Sequence, residues 1–583
     1  MNYYTLDLET TTQEDDCHIW AWGCYNIYSE AIKKGTKFDE LLQFLLNHGG
    51  TYYFHNLAFD GEFFILNLLE RGYEWKKWSY NPRPNLKGKY FSTIISGDRK
   101  WYATYLQGDG GFVSILDSFK IIPSSISKIA KDFGFKEKKG KIDYHKHRPF
   151  GYEPTEEEWE YLENDIIIQG KAMKEMLQAG FKKMTAGSNA LSMLRDNFIG
   201  KKEFSKLFPS IEKYDGEIRR AYKGGWTYLN PKYKGKIVKS GIVLDVNSMY
   251  PYVMTNHYYP YGAPKLFVGK YKRDAMFPLY IQQIQCRFQI KPNHLPTIQL
   301  KNSGYFNDTE YLESSWSEEL QEDVYTDLYL TNIDLKLFLE HYDVDDLKYI
   351  KGWKFKARKE MFNEFVEYWY EKKQEATRTG NKVLRVICKL ILNSCYGKFA
   401  TRIIVTSGIP QLHDGILCIR HGPVEHRQGV YLPVGIFVTS YAREKIIRSA
   451  QSVYDRFIYA DTDSLHLEGF ELPQNLEIDN YKLGAWKHES TFIQAKYLRQ
   501  KCYFECEVKN SNPDYHRMVY KIYGIPPAFI YNPKITVAGM PDEAKNGLTF
   551  EKFNFGYRAE GKKNPRHVKG GLILVDVPYT LNP

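Results

Sequence analysis

Two aspartates one residue apart interrupt an apolar stretch, "FIYADTDSL", at residues 457–465. Carboxylates set among strand-formers are costly to bury unless a partner neutralises them. A plain turn would leave them in water, since Asp, Thr and Ser are ordinary turn residues. A metal site would use them, and the rest of the chain has to decide. The N-terminus poses the same question. "YYTLDLETT" alternates as a strand does, and its period of two puts Asp7 and Glu9 on one face. A solvated edge strand would also accommodate them. "TYYFHNLAFDGEFF" (51–64) reads as a further apolar strand running into Asn56 and Asp60. "PTEEEWEYLENDIIIQGKAMKEML" (154–177) opens like a capping box, Thr155 with Glu158, and continues at helical period, so Tyr161 and Asp165 share a face.

Four acids on two strands and a helix are rarer than any one of them. Two-metal phosphodiester hydrolysis needs such a set, because paired ions activate a water and stabilise the leaving oxygen. Hard cations such as Mg2+ take oxygen ligands, hence carboxylates rather than His or Cys. A second group lies downstream. "SGIVLDVNSMYPYVM" (240–254) reads as a strand ending at Asp245 and breaking at Pro251. "CKLILNSCYGKFA" (388–400) reads as a helix with Lys389, Leu392, Asn393 and Tyr396 on one side, halted at Gly397. With the opening hairpin, these are the parts nucleotidyl transfer requires: Asp245 and Asp463 for two metals, and a helix Lys for the departing phosphates.

At 583 residues the chain exceeds what one core supports, so several domains are expected. It has no run of about 18 uncharged apolar residues, which predicts no membrane span. "MNYYTLDLETTT" lacks the basic-then-apolar pattern of a signal peptide. Eight cysteines form no CxxC pair, which argues against a zinc ribbon or redox motif and fits a reducing cytoplasm. Cys502 and Cys506 in "KCYFECEV" share a strand face and read as a packed pair of thiols. The net charge of +10 says less than its distribution. "KEKKGKIDYHKHR" (136–148) carries six Lys and Arg against two acids, whereas "ESSWSEELQEDVYTD" (313–327) has six acids and neither base. Such runs suit solvated faces, and with 47 Tyr they also suit stacking and phosphate contact.

The first group resembles the four-carboxylate, tyrosine-type site of the 3′–5′ exonuclease domains of proofreading DNA polymerases. "DVNSMYP", "KLILNSCYGKF" and "YADTDS" resemble the three polymerase signatures of family B DNA polymerases, in the same order. "AYKGGW" (221–226) resembles their linker between exonuclease and polymerase, "TSYAR" (439–443) a template-contacting motif, and "KCY" (501–503) the Lys-x-Tyr element beside the primer terminus. Length and motif spacing look most like the protein-primed DNA polymerases of small bacteriophages with linear genomes. The resemblance covers nearly the whole chain, most thinly after about residue 536.

That resemblance implies an α/β multidomain fold: an RNase H-like exonuclease domain (1–185), then a right-hand polymerase with two insertions. The palm would span 186–256 and 433–535, the fingers 365–400 and the thumb 536–583. Insertion 257–364 would contact the priming protein, and insertion 401–432 would be a processivity and strand-displacement arm. Metal ligands would be Asp245, the Val246 carbonyl and Asp463, with Asp461 a required neighbour, and Asp7, Glu9, Asp60 and Asp165 in the exonuclease. Tyr161 would orient the attacking water, and Lys139 of "KGKI" would assist. Tyr250 (as a steric gate), Lys389, Asn393, Tyr396 and Gly397 would meet the nucleotide. Thr10, His55, Asn56, Phe59, Ser118 and Phe119 would hold a frayed 3′ end. Tyr222, Gly224, Gly225, Ser248, Thr439, Arg443, Lys501 and Tyr503 would contact primer-template DNA. A second phosphate-binding base is expected in the fingers, where Arg378 and Lys382 are candidates.

Two Mg2+ ions per site, with Mn2+ as a substitute, are implied as cofactors. The implied partners are primer-template DNA, deoxynucleoside triphosphates and a terminal priming protein. The setting would be the host bacterial cytoplasm, and the state a monomer or a heterodimer with the terminal protein. A nuclease with a degenerate partner domain leaves the second acid group unexplained, and a non-enzymatic DNA-binding protein leaves both. A reverse transcriptase shares the strand–turn–strand acids, but Tyr250 and "NSCYG" favour family B. A conventionally primed family B polymerase with exonuclease is the remaining alternative.

Overall fold

The apolar alternation of the first 120 residues builds one mixed, eight-stranded sheet. Its middle strand, Tyr3–Thr10, lies antiparallel to Ile19–Asn26 and parallel to Gly50–Phe54, which pairs in turn with Gly111–Asp117. Asp7 and Glu9 therefore sit mid-sheet, and an edge-strand account of them fails. The computed structural model describes residues 2–508 and 531–583. One face of this sheet is covered by the helix Glu156–Gln178, started by the expected capping box: the Thr155 hydroxyl accepts from the Glu158 N–H (3.3 Å), and Glu158 accepts from the Thr155 N–H (2.9 Å). The helices Phe38–His48 and Leu57–Glu70 cover the other face.

A second eight-stranded sheet is antiparallel and centred on Gly241–Val246. The hairpin Phe457–Asp461/Ser464–Glu468 pairs along it, with Asp245 opposite Ser464. The Val246 N–H donates to the Asp463 carbonyl (2.8 Å), so residues far apart in sequence close on one another. Two expected breaks lie elsewhere. Pro251 falls in the first turn of the helix Met249–Asn256, where its missing N–H would have had no helical partner. The chain turns instead at Ser248, in the left-handed region at φ 55°. The helix Lys382–Phe399 runs straight through Gly397. An exposed helical glycine costs about 1 kcal/mol, and buried Cys395 and Phe399 on either side outweigh it.

Residues 186–221 are helical and pack against Lys382–Phe399, so the second sheet's first strand is Thr227–Leu229. Segment 257–364 holds its own four-stranded sheet with the helix Asn332–His341. Segment 401–432 holds the hairpin Ile404–His413/Ile416–His426, and the last hairpin is Arg558–Val568/Gly571–Thr580. Residues 509–530 of the expected second palm segment lie outside the described residues. Cys502 and Cys506 are free thiols, both buried in the same core cluster, where Phe504 packs with them, as the packed-pair reading expects. Among the described residues no helix is long and apolar enough to cross a membrane.

The N-terminal sheet is gripped from both sides. On its long-helix face, one core runs from Tyr53, Met173 and Phe181 through Ile391 and Cys395 to Val246, Leu465 and Trp486. On its other face, Leu6, Phe54 and Phe64 share a cluster with Leu417 of the 401–432 hairpin and with Val568 and Leu572 of the last one. Polar contacts follow the same seam. Gly97 N–H donates to Thr406 (2.7 Å), His567 lies 2.7 Å from Glu62, and Arg566 pairs with Glu14.

Candidate active sites

The N-terminal acids come from one strand and two helices, not two strands and a helix. Asp60 lies in the first turn of Leu57–Glu70, because Asn56 takes φ 72° and turns the chain from strand to helix before it. Asp7 and Glu9 on the strand, Asp60 on one helix and Asp165 on the other then meet at the sheet's end. Burial, followed by the charge of Asp165, pushes Asp7 up to about 7. Burial and then Asp7 hold Glu9 and Asp60 well above the usual carboxylate range. Asp165 is raised by burial too, although Lys139 works against the shift. The Lys139 ammonium bonds one Asp165 oxygen and lies 5.1 Å from the Tyr161 ring centre, while the other Asp165 oxygen is buried without a partner. Burial disfavours that ammonium, yet Asp165 outweighs it and the Lys139 pKa stands above its ordinary value. The Tyr161 hydroxyl shares a 2.6 Å hydrogen bond with Tyr144, a neighbour the sequence reading missed although it lies in the basic run "KGKIDYHKHR".

Among the described residues no three His, Cys, Asp or Glu side chains are drawn close enough to cage an ion unaided. The donor chemistry nevertheless fits a hard divalent cation: four mutually repelling carboxylates, one with a buried oxygen that makes no hydrogen bond. Phe59 and Phe119 stand half-buried beside this cluster, with the Phe119 ring 5.5 Å from His55. Asn56 is exposed, and Thr10 ends the central strand at a register shift. Ser118 does not face solvent. It is 1% exposed, donates to the Phe54 carbonyl (2.9 Å) and bonds the His55 ring (2.9 Å) and Gln169 (2.8 Å), so it braces the loop instead of offering its hydroxyl to a strand.

In the second sheet, the left-handed turn at Thr462 (φ 62°) sets Asp461 and Asp463 at the hairpin tip. Asp461 is neutralised: both its oxygens accept from Lys501 (2.7 and 2.6 Å), and Thr227 adds a third bond (3.0 Å). Burial, then Asp463, lifts Asp245 to about 7, while burial, then Asp461, lifts Asp463 to about 6. This pair, too, is made of oxygen donors, the ligand type that a hard divalent cation takes. Two further residues escaped the sequence reading. Glu489 occupies a register shift opposite Val243 and Leu244, and its charge reaches both Asp245 and Asp463. Lys373, rather than Arg378 or Lys382, reaches the site from the helix Asn363–Arg378, donating to the Ser248 hydroxyl (2.9 Å). Burial, with Arg385 and Lys389 nearby, pulls its pKa down to about 8. Neither shows a pattern of its own in sequence, because each depends on a partner more than a hundred residues away.

Lys389, Asn393 and Gly397 are exposed on successive turns of Lys382–Phe399, and the Tyr396 ring stacks on Tyr250 at 4.0 Å. Gly225 passes so close to the Asp461–Asp463 turn that a Cβ would lie 2.8 Å from Thr462, while Gly224 has open space and Tyr222 is exposed. Thr439 and Arg443 are turned inward, each 2% exposed. A desolvated guanidinium demands a full set of acceptors, and Arg443 finds them in Asp334 (2.8 and 2.9 Å) and the carbonyls of Lys223 and Gly224 (2.8 and 2.9 Å). It holds the linker loop. Tyr503 is likewise buried, 5.4 Å from Tyr459, and leaves Lys501 as the exposed member of its motif.

The model of the family described as DNA polymerase type B, organellar and viral, matches residues 42–153 and 141–480. The chain is similar to the DNA polymerase of Bacillus phage B103, at 42% identity over 99% of both chains. It is similar to that of Streptococcus phage Cp-1 at 32% identity, over 99% of this chain and 98% of the other. Its structure resembles phi29 DNA polymerase complexed with primer-template DNA and incoming nucleotide substrates, with a TM-score of 0.89 at 41% identity over 100% of both chains.

Proposed function

The chain belongs to the type B DNA polymerases, organellar and viral, and on that premise we propose that it replicates a linear phage genome by protein-primed, strand-displacing synthesis and proofreads its own product. The observation that carries this reading is the pair of separate acid clusters, each of oxygen donors pushed above their usual pKa and each faced by lysines. Asp7, Glu9, Asp60 and Asp165 would hold the ions of the exonuclease, and Asp245, Asp463 and the Val246 carbonyl those of the polymerase. Two Mg2+ per site, or Mn2+ in their place, would supply Lewis-acid activation of the attacking oxygen and neutralise the leaving one.

The chain's own groups do the rest. Lys389 and Lys373 stand where the departing phosphates need balancing charge. Lys501 pairs with Asp461, and its charge also offsets part of the rise in the Asp463 pKa. Tyr250, backed by Tyr396, occupies the space a 2′ hydroxyl would need. At the other site Tyr161, fixed by Tyr144, orients water, and Phe59 and Phe119 offer ring faces to unpaired bases.

Asp245→Ala or Asp463→Ala is expected to abolish primer extension and spare degradation of single-stranded DNA, and Asp7→Ala or Asp165→Ala to do the reverse. Loss of both activities from each single change, in folded protein, would sink the two-site reading. Protein priming is supported by the separate sheet within 257–364, which a palm does not require. The expected product is a nucleotide covalently attached to a hydroxyl of a terminal protein recovered from the cytoplasm of infected bacteria. Initiation only on oligonucleotide primers would favour the conventionally primed alternative.

A further inference from the structure

Two loops flank the N-terminal acid cluster, His55–Phe59 and Ser118–Phe119, and both are tied to a single carboxylate outside that cluster. Asp117, at the end of the strand Gly111–Asp117, is 1% exposed. Its Oδ1 accepts from the Asn56 N–H (3.0 Å) and from the Phe119 N–H (3.0 Å). Its Oδ2 is buried without a hydrogen-bond partner, with the Lys120 ammonium 3.4 Å away. Asn56 needs such a hold. A non-glycine residue in the left-handed region is strained unless its surroundings fix it, and Asn56 stands there at φ 72° immediately before the helix that carries Phe59 and Asp60.

We propose that Asp117 is the positioning residue of the proofreading site, clamping the Asn56 and Phe119 backbones in one register so that both loops meet the terminal nucleotides of the strand being edited. The proposal rests on the exonuclease reading given above. Asp117 acts through the two loops: the one oxygen that reaches them is taken up by main-chain donors. Its loss therefore loosens the grip on the strand more than it slows cleavage of a strand already seated.

The test compares Asp117→Ala and Asp117→Asn in the full chain, with Mg2+, on a single-stranded oligonucleotide and on a primed template. Asparagine keeps the volume and an acceptor oxygen, whereas alanine keeps neither. Alanine is expected to raise KM for the single strand about ten-fold, the scale of charge-assisted hydrogen bonds lost, with kcat and primed extension nearly unchanged. Asparagine is expected within about three-fold of the unsubstituted protein, since neutral hydrogen bonds are roughly half as strong as charged ones. If the alanine protein cannot extend a primer, Asp117→Ser takes its place. A serine can still cap Phe119 but is too short to reach Asn56, and the same rise in KM is expected. A fall in kcat at unchanged KM, an unmoved KM, or asparagine as defective as alanine would each overturn the proposal. Degradation that survives Asp7→Ala overturns the exonuclease reading and the role of Asp117 with it. Degradation lost in Asp7→Ala but indifferent to Asp117→Ala overturns the role of Asp117 alone.

Discussion

The rings of Tyr250 and Tyr396 stack at 4.0 Å, and on the proposed function sugar choice rests on Tyr250. Tyr250→Val opens the space beside the Asp245 strand end and is expected to raise ribonucleotide incorporation relative to deoxyribonucleotide. Packing against a single hydroxyl is usually worth only about 10²-fold, so a change of that order is the ceiling. Competitive incorporation on one template measures it, and unchanged discrimination in an active variant counts against the gate. Phe59→Ala removes a base-stacking face worth roughly 1–3 kcal/mol. It is expected to weaken single-strand binding and editing while leaving extension of a paired primer nearly intact, and equal loss of both would refute the assignment. At this scale the sequence was legible wherever chemistry lies in the residue type, as with Asp7, Asp245 and Asp463. It was not legible where a side chain's role depends on what is packed above it. Arg443, Ser118 and Tyr503 look like surface ligands in a motif, and each is buried by partners that no local pattern announces.

Among the elements, the helix Glu156–Gln178 shows how local rules carry a site. Its capping box fixes the start, and successive turns further along deliver Tyr161 and Asp165. Burial would raise the Glu158 carboxyl, but the Thr155 N–H, Lys146, Tyr152 and Arg148 together hold it down to about 2. A folded-state value below the usual 4.5 contributes stability that is fully present above about pH 4.5 and is lost as pH falls toward 2. Glu158→Gln is therefore expected to lower stability by on the order of 2 kcal/mol near pH 7, the scale of a hydrogen bond to a charged group. The deficit should shrink as pH falls below about 4.5, and thermal melts across that range would show it. A deficit that stayed constant would mean that packing, not charge, is what the substitution removes. The helix Lys382–Phe399 departs from its sequence pattern for a related reason. Gly397 stops a helix on propensity alone, but propensity is a weak prior against two buried neighbours. The apolar residues of "TYYFHNLAFDGEFF" suggest a strand that reaches Asp60, and only the left-handed turn at Asn56 shows that the strand has already ended.

For the whole molecule, the seam of Gly97 with Thr406, Leu417 with Leu572 and His567 with Glu62 closes a circuit between the N-terminal sheet, the 401–432 hairpin and the last hairpin. On the function proposed above, that circuit would enclose the product rather than grip it. Phosphate contacts alone lose affinity with salt, log K falling by about 0.9 per neutralised phosphate per log unit. Enclosure is less sensitive, because release requires protein to move. Replacing Ile403–Gln428 by a short Gly/Ser link is expected to keep single-nucleotide addition, shorten products in a single encounter and abolish strand displacement. Full-length displacement products from that variant at moderate salt, without helper proteins, would refute it. The two-faced packing of the N-terminal sheet also bears on modularity. A proofreading unit is commonly imagined as a cassette that a designer could excise or transplant. Here, cutting near residue 185 would strip Met173, Met176 and Phe181 of the neighbours that cover them, and would take Gly571 of the last hairpin away from Phe63 on the reverse side as well. The isolated fragment is expected to aggregate, so a polymerase free of editing is better obtained by silencing the acids in place than by taking the domain away.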